Sequence, residues 1–261
     1  MSAPRVRTLR RAVLLFVVCT IALQLYFLGR IALMAAIDPE STTFQRSEAW
    51  RLALARRAAH WQQHWIDYAA ISPHLKRAVI ASEDSGFTEH SGVEWDALEK
   101  AWAKNERADK VAEQAAQRAA QRVPRPGAPT PPLAPARAPK VVGGSTITQQ
   151  LAKNLFLSGE RNFLRKGQEL VLSYELEALL GKRRILEIYL NEVEWGEGVF
   201  GAGAAARRYF GVGAADIGAA QAAQLAVMLP APKRFEKRPG SAYVAGRAAT
   251  IVARMAHVDV P

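Results

Sequence analysis

Cysteine is nearly absent from this 261-residue chain, because Cys19 is the only one and no intramolecular disulfide can form. Its place in an apolar run indicates a packed or lipid-facing thiol, not a nucleophile. Alternation of apolar and polar residues at period two is also scarce, which argues against an extensive β-sheet. The Gly-rich stretch at 143–146 lacks the GK[ST] pattern, which excludes a typical phosphate-binding loop.

Acidic residues are outnumbered, at 24 Asp and Glu against 35 Lys and Arg, giving a net charge of +11. This balance predicts an anionic partner, which is nucleic acid, an anionic membrane surface or a phosphorylated substrate. Hydrophobic residues make up 49% of the chain, enough for the core of one large or two small domains.

The one long apolar run lies near the N-terminus, over residues 12–37 with a break at Gly29 and Arg30. It exceeds the roughly 20 residues that cross a hydrocarbon core. Four arginines precede it in the basic tail 1–11, so the positive-inside rule predicts a cytoplasmic N-terminus. A cleaved signal peptide is the alternative, but the run is long for one and residues 34–36 form a weak cleavage site.

The membrane-proximal segment 38–71 combines basic residues with tryptophans such as Trp50, Trp61 and Trp65. These residues lie either in the lipid headgroup layer or on the core and surface faces of a first domain helix. The sequence leaves both alternatives open.

An acidic pair follows the next helical pattern. Ser72 and Pro73 are typical of a helix start, and Gly86 is expected to end the helix. Glu83 and Asp84 then lie in its last turn, where the helix dipole raises the pKa of a carboxylate. This placement favours a general base, and a solvated helix end is the alternative.

The composition changes after about residue 101, where Ala, Gln, Glu, Lys and Arg become frequent. The composition favours helix as far as Val123, and half of the 14 prolines then lie between Pro124 and Pro139. We predict a linker or loop there, which is either a tolerated insertion or a contact with lipid headgroups.

A capped helix is expected after Gly143 and Gly144, with Ser145 or Thr146 as the cap and its first N–H groups available to an anion. Basic residues follow, and Glu169 lies on a helix that runs to about Leu180. The basic residues are Lys153, Arg161, Arg165 and Lys166. They form either a pyrophosphate site or a solvated basic face.

Several stretches together carry a family resemblance. Residues 83–92 match E-D-x-x-F-x-x-H-x-G, and residues 143–154 match G-G-S-T-I-T-Q-Q-x-x-K-N. R-K-x-x-E at 165–169, I-L-E-x-Y-L-N at 185–191 and a Gly- and Ala-rich block at 195–211 follow in order. Over about residues 70–235 the chain resembles the peptidoglycan glycosyltransferases, including the glycosyltransferase domain of class A penicillin-binding proteins. It has no S-x-x-K or K-T-G motif of their transpeptidase domain, so it resembles the monofunctional members.

The resemblance implies a mainly α, lysozyme-like bilobed domain behind one transmembrane helix, and an enzyme that polymerises lipid II. It places this domain at 72–240, ahead of a C-terminal helix and tail at 241–261. Residues 106–140 are then an insertion, because the family usually has a short connection before G-G-S-T. The resemblance makes Glu83 the general base that deprotonates the 4-hydroxyl of the acceptor sugar, with inversion and loss of undecaprenyl pyrophosphate. The basic residues would neutralise that leaving group. Glu169 would either orient the donor or hold a divalent cation, Mg²⁺ or Mn²⁺, and no cofactor is firmly implied.

The substrate-binding residues implied by the resemblance come from three motifs and, for Arg161, from the basic series between two of them. They are Asp84, Phe87, His90, Ser145, Thr146, Gln149, Gln150, Lys153, Asn154, Arg161, Arg165 and Lys166. Glu187 and Asn191 are expected to be structural. Further helices are expected at 169–180, 184–191 and 216–229.

The implied partners are lipid II, the growing lipid-linked glycan, the membrane and proteins of the division or elongation machinery. The implied location is a bacterial inner membrane, with a single-pass anchor and a periplasmic domain. A lysozyme-like lytic enzyme would not need the basic series, and a non-catalytic scaffold would not need both glutamates. A nucleic-acid binder conflicts with the predicted topology.

Overall fold

The computed structural model describes residues 3–56, 61–120, 144–157 and 163–261, and most of them are helical. The predicted mainly α class is therefore confirmed. The helices are α1 Ala3–Leu33, α2 Thr43–Leu54, α3 Pro73–Glu83, α4 Trp95–Ala120, α5 Ile147–Phe156, α6 Phe163–Leu179, α7 Lys182–Glu192, α8 Gly201–Phe210, α9 Ala219–Met228, α10 Pro232–Phe235 and α11 Ala242–Arg254. Single 3₁₀ turns lie at Tyr68–Ala70, Ala214–Asp216 and Met255–His257.

The chain divides into two compact units, one formed by residues 1–93 and 146–261 and the other by residues 94–145. The larger unit carries most of the predicted site residues. The predicted domain limits of 72 and 240 stay a prediction.

Helix α1 contains a stretch of 27 residues, Arg7–Leu33, in which a window of 18 residues has a mean hydropathy of 2.3. Among the described residues it is the one helix long and apolar enough to cross a membrane. Its early apolar side chains are exposed. Phe27 and Ile31 near its end, and Met34 just after it, are instead buried in the core of the larger unit. The end of the apolar helix is thus part of the folded unit, because its last turns pack there.

The core beside the acidic pair is formed by α3, α9 and α11, which pack on one another. Leu75, Val79 and Ile80, the apolar positions of α3, are completely buried. Helix α9 faces them with small and apolar residues such as Ala222 and Leu225, which lets the helices approach closely. This packing fixes the end of α3, where Glu83 lies.

A small sheet accompanies the helices, with strands β1 Gln62–Gln63, β2 Glu194–Gly196 and β3 Val199–Phe200 in the order β1-β3-β2. The β1 strand runs parallel to β3, and β2 runs antiparallel to it with a bulge. Gly201 follows β3 with φ of +82°, and a Cβ there would lie 2.6 Å from the carbonyl oxygen of Asn191. Only glycine fits where this strand turns into α8.

The aromatic residues of segment 38–71 divide between core and surface. The Trp61 ring lies 4.6 Å from the Phe200 ring, and Tyr68 is buried. Trp50 and Leu54 on α2 are instead about 70% exposed, at 69% and 71%. The core interpretation therefore holds for part of the segment, and the exposed pair remains available to a membrane surface.

The smaller unit is built on α4. A Cβ on Gly144 would lie 2.9 Å from the carbonyl oxygen of Ala97, so this glycine packs directly on the first turns of that helix. Helix α4 continues to Ala120, which shows that the first part of the predicted insertion is helical. The predicted proline-rich loop at 124–139 lies outside the described residues.

Candidate active site

The end of α3 positions the acidic pair. Ser72 caps the helix, since its hydroxyl oxygen accepts from the His74 N–H, and Pro73 is the first helical residue. The helix ends at Glu83, so the prediction that Gly86 ends it is wrong by three residues. The reason is that Asp84 adopts an extended φ of −163° while its carboxylate bonds elsewhere. The two acids therefore leave the helix in different directions.

Glu83 is half-buried and accepts a hydrogen bond from Gln150 Nε2 at 3.1 Å. The Ser82 hydroxyl lies 3.4 Å from its other oxygen. Burial raises the pKa of Glu83 and the charge of Asp84 adds to this, while the Gln150 and Ser82 hydrogen bonds partly offset it. The result is a carboxylate that is more basic than an exposed glutamate, which suits proton abstraction.

Gln150 is itself held by Tyr189 of α7, whose hydroxyl donates to Gln150 Oε1 at 2.9 Å. Tyr189 is 1% exposed. Sequence reasoning missed this residue as part of the site, although it lies inside the I-L-E-x-Y-L-N motif. The signal was a tyrosine between apolar positions, whose buried hydroxyl requires a partner.

Asp84 joins two segments of the larger unit. Its carboxylate accepts from His90 Nε2 at 2.8 Å and from the Ile147 N–H, the first of α5, at 2.9 Å. The Gly92 N–H donates to His90 Nδ1, so in the neutral ring the proton is on Nε2. The Gly92 carbonyl in turn accepts from the Thr146 hydroxyl at 2.6 Å. We call this set of contacts the Asp84 clasp.

The start of α5 is capped by Thr146. Its hydroxyl accepts from the Gln149 N–H, and the Gln149 side chain accepts from the Thr146 N–H, both at 3.1 Å. Both residues are buried, and Ser145 belongs to the smaller unit. The sequence predicted that the first N–H groups of this helix are available to an anion. In the structure the N–H groups of Ile147 and Gln149 donate to side chains of the protein itself.

Two more predicted residues of this region are placed inside the larger unit. Phe87 is completely buried, with its ring edge-on to His90 at 6.4 Å and the Lys182 ammonium 4.6 Å from its centre. Asn154 of α5 is 9% exposed. Phe87 thus packs behind the loop that carries His90.

A charged group lies on α6, where Glu169 is 3% exposed. Arg165 Nη1 donates to one carboxylate oxygen at 2.8 Å, and the Lys166 ammonium donates to the other. The three residues share one helix face because they are three and four positions apart. Lys153 is exposed on α5, which packs against α6, and Arg161 lies outside the described residues.

The residues around Glu169 do not fit a divalent cation. Both carboxylate oxygens accept from cationic side chains, which repel a metal ion. Over the described ranges there is no group of three His, Cys, Asp or Glu side chains suited to a metal. These contacts leave no role for a metal ion at Glu169 in the proposed reaction.

An open cleft of about 520 Å³ lies beside the His90 loop. Its lining includes His90, Tyr174, Glu177 and Lys182, and Glu177 accepts from Lys182 at 2.7 Å. Neither Glu83 nor Glu169 is among its described lining residues, so its position favours a supporting role over the chemical step.

The structure thus brings the predicted residues together in three groups: Glu83 with Gln150, the Asp84 clasp with the cap of α5, and Glu169 with Arg165 and Lys166. Together they offer a basic carboxylate, a rigid frame around it and cationic side chains near a buried acid. Such a set can remove a proton and stabilise an anion.

Comparison with known proteins agrees with this chemistry. The profile of the Transglycosylase family matches residues 51–119 and 134–256. A protein of Janthinobacterium sp. (strain Marseille), named biosynthetic peptidoglycan transglycosylase, is 48% identical over 94% of this chain and 94% of its own. Proteins of the same name from Herminiimonas arsenicoxydans and Bordetella pertussis are 45% and 47% identical, over 95% and 96% of this chain and 95% and 93% of their own. The chain therefore belongs to the transglycosylase family.

Proposed function

We propose that this chain is a peptidoglycan glycosyltransferase that polymerises lipid II into β-1,4-linked glycan strands during cell wall synthesis. The single observation that carries the proposal is the environment of Glu83. Burial raises the pKa of this carboxylate, and the Gln150 amide donates one hydrogen bond to it. The names of the relatives, over nearly their whole length, support the substrate class.

In the proposed step, Glu83 takes the proton from the 4-hydroxyl of the acceptor lipid II. The freed oxygen forms a bond to the anomeric carbon of the growing chain while the bond from that carbon to the pyrophosphate breaks. One displacement inverts the configuration at that carbon, and undecaprenyl pyrophosphate leaves. The raised pKa favours the step, because a more basic carboxylate accepts a proton more readily.

Arg165 and Lys166, with Lys153 on the neighbouring helix, are proposed to stabilise the leaving pyrophosphate. Glu169 holds the first two side chains on one face of α6 before substrate arrives. Cations arranged in advance cost little reorganisation as negative charge develops. The donor-side roles predicted for Ser145, Gln149, Gln150, Asn154 and Arg161 stay predictions.

The acceptor side is proposed to depend on the Asp84 clasp and on Phe87. Their buried contacts favour an indirect role, in which they hold the loop after Glu83 in place. Asp84 and His90 would then contribute to substrate binding through the shape of that loop.

The location is proposed to be a bacterial inner membrane. The basic residues at the start of α1 favour a cytoplasmic N-terminus, so the folded unit would face the periplasm. Anchoring there would keep the site at the layer where lipid II resides. Proteins of the division or elongation machinery are included as proposed partners.

The test is polymerisation of labelled lipid II by the purified full-length protein in detergent, with products separated by length. Wild type should give a ladder, and Glu83→Gln should be at least about 10²-fold slower, because the base is lost. The matched control is Glu40→Gln, an exposed glutamate, which should keep the wild-type rate. A folded wild type without polymer, or an active Glu83→Gln, would refute the proposal.

A further inference from the structure

We propose that Tyr189 is a positioning residue that orients the side-chain amide of Gln150 and thereby keeps an N–H donor on the Glu83 carboxylate. The inference rests on the proposed role of Glu83 as general base. It adds to that role a buried group that acts on Glu83 through its hydrogen bond to Gln150.

Three helices contribute one group each to this arrangement. The Tyr189 hydroxyl of α7 is 2.9 Å from Gln150 Oε1 of α5, and Gln150 Nε2 is 3.1 Å from Glu83 Oε2 at the end of α3. Tyr189 is 1% exposed, so its hydroxyl has no ready access to water. The chain of two hydrogen bonds therefore lies mostly within the folded unit.

The direction of the amide follows from its chemistry. A glutamine amide has one end that accepts and one that donates. With the tyrosine proton on Oε1, the NH₂ end faces Glu83. A flipped amide would place Oε1 against the ionised carboxylate, two acceptors with no proton between them. The tyrosine thus favours the amide orientation that stabilises ionised Glu83.

The charges around Glu83 make this donor important. Burial and the charge of Asp84 raise the pKa of Glu83. Burial together with the two carboxylates raises the pKa of Tyr189 well above its usual range, so the tyrosine stays neutral. Helix α9, packed on α3, carries no titratable residue. From α11 and the following turn come Tyr243, Arg247, Arg254 and His257, and none of these has a described hydrogen bond to Glu83.

The first experiment compares the pH dependence of kcat/KM for wild type and Tyr189→Phe, a change that keeps the buried ring. Without the hydroxyl, the amide loses its preferred orientation and Glu83 loses its donor part of the time. Its pKa rises, so the acidic limb of the profile moves to higher pH by up to about one unit, or roughly tenfold in rate at a fixed pH below the limb. The alkaline plateau should stay within about threefold of wild type, since ionised Glu83 is still the base.

The matched control is Tyr209→Phe, which removes another largely buried hydroxyl, bonded to the Trp195 carbonyl at 2.8 Å. It should leave the acidic limb in place. A Tyr189→Phe enzyme that loses rate equally at every pH would overturn the proposal, because that is the effect of a merely structural residue.

A second variant tests the route through Gln150. Gln150→Ala should move the acidic limb as far as Tyr189→Phe or further, and adding Tyr189→Phe to it should move the limb no more. This variant also tests the arrangement if Tyr189→Phe fails to fold. An additional shift in the double variant, or none in Gln150→Ala, would overturn the proposal.

A measurement without substrate separates this inference from the proposed function. The carboxyl carbons of ¹³C-labelled glutamates are titrated by NMR, and the Glu83 signal is assigned by its loss in Glu83→Gln. Tyr189→Phe should raise the apparent pKa of that signal, and Tyr209→Phe should not. The titration would support the inference even if wild type formed no polymer, and an unshifted Glu83 signal would overturn it even in an active enzyme.

Discussion

Replacing Asp84 by asparagine should destabilise the protein because the clasp needs two acceptors. The carboxylate accepts from His90 Nε2 and from the Ile147 N–H, and it is 5% exposed. An asparagine has one acceptor oxygen, so its NH₂ must face one of the two donors. His90 cannot relieve the clash by moving its proton, since the Gly92 N–H already donates to Nδ1.

The cost can be worked from these contacts. Each buried donor left without an acceptor costs about 1–3 kcal/mol, and the clash involves one protein N–H and the new amide. The sum is about 2–6 kcal/mol. For a unit of this size, 1 kcal/mol corresponds to about 2–4 °C in Tm, so the Tm should fall by about 4–24 °C.

The assay is thermal unfolding of the full-length protein in detergent by circular dichroism, beside lipid II polymerisation at a temperature where both proteins are folded. Asp67→Asn is the matched control, because Asp67 is exposed and its side chain does not cap the following turn. It should shift the free energy of unfolding by less than about 0.5 kcal/mol. If Asp84→Asn kept the wild-type Tm but lost polymerisation, the clasp reasoning would be wrong and Asp84 would act directly on substrate.

Two further predictions concern stability. Burial raises the pKa of Glu192 to about 8 and of Glu194 to about 7, from 4.5, so the folded state binds more protons than the unfolded chain between these values. The free energy of unfolding should therefore fall as pH rises from 5 to 8, by up to about 1.4 kcal/mol per pH unit for each group. Glu192→Gln should flatten the dependence of Tm on pH, and an unchanged slope would contradict this. Gly201→Ala should lower the free energy of unfolding by more than about 2 kcal/mol, because its Cβ would meet the Asn191 carbonyl. Gly246→Ala, in open space on α11, should raise it by about 0.5–1 kcal/mol. Chemical denaturation measures both, and equal effects would refute the steric argument.

The helices were predictable from sequence where an apolar period and a cap occur together. Ser72 and Pro73 start α3 as predicted, and Thr146 with Gln149 forms the cap of α5. Local rules suffice here because a cap satisfies backbone N–H groups a few residues away. The cationic face of α6 is readable in the same way, from the spacing of Arg165, Lys166 and Glu169.

The sheet and the end of α3 were not predictable by such rules. Strands of two or three residues carry no period, and β1 pairs with β3 over more than 130 positions of sequence. The end of α3 was predicted at Gly86 from a local propensity, but it is set by the Asp84 contact with Ile147, 63 positions away. Long-range hydrogen bonds decided both features, as they did for Tyr189 and Gln150.

Adjacent Glu83 and Asp84 have different hydrogen-bond partners because the helix ends between them. Asp84 accepts hydrogen bonds from His90 Nε2 and from the Ile147 N–H. Glu83 accepts from the Gln150 amide, and the Ser82 hydroxyl lies 3.4 Å away. Burial raises the pKa of Glu83, and the charge of Asp84 raises it further. The same clasp that anchors the start of α5 therefore also holds a negative charge beside the proposed base. Had the helix continued to Gly86, Asp84 would have lain about 100° further around α3 and could not have made both contacts. Because the helix ends early, Asp84 stabilises the fold and Glu83 is left for the proposed proton transfer.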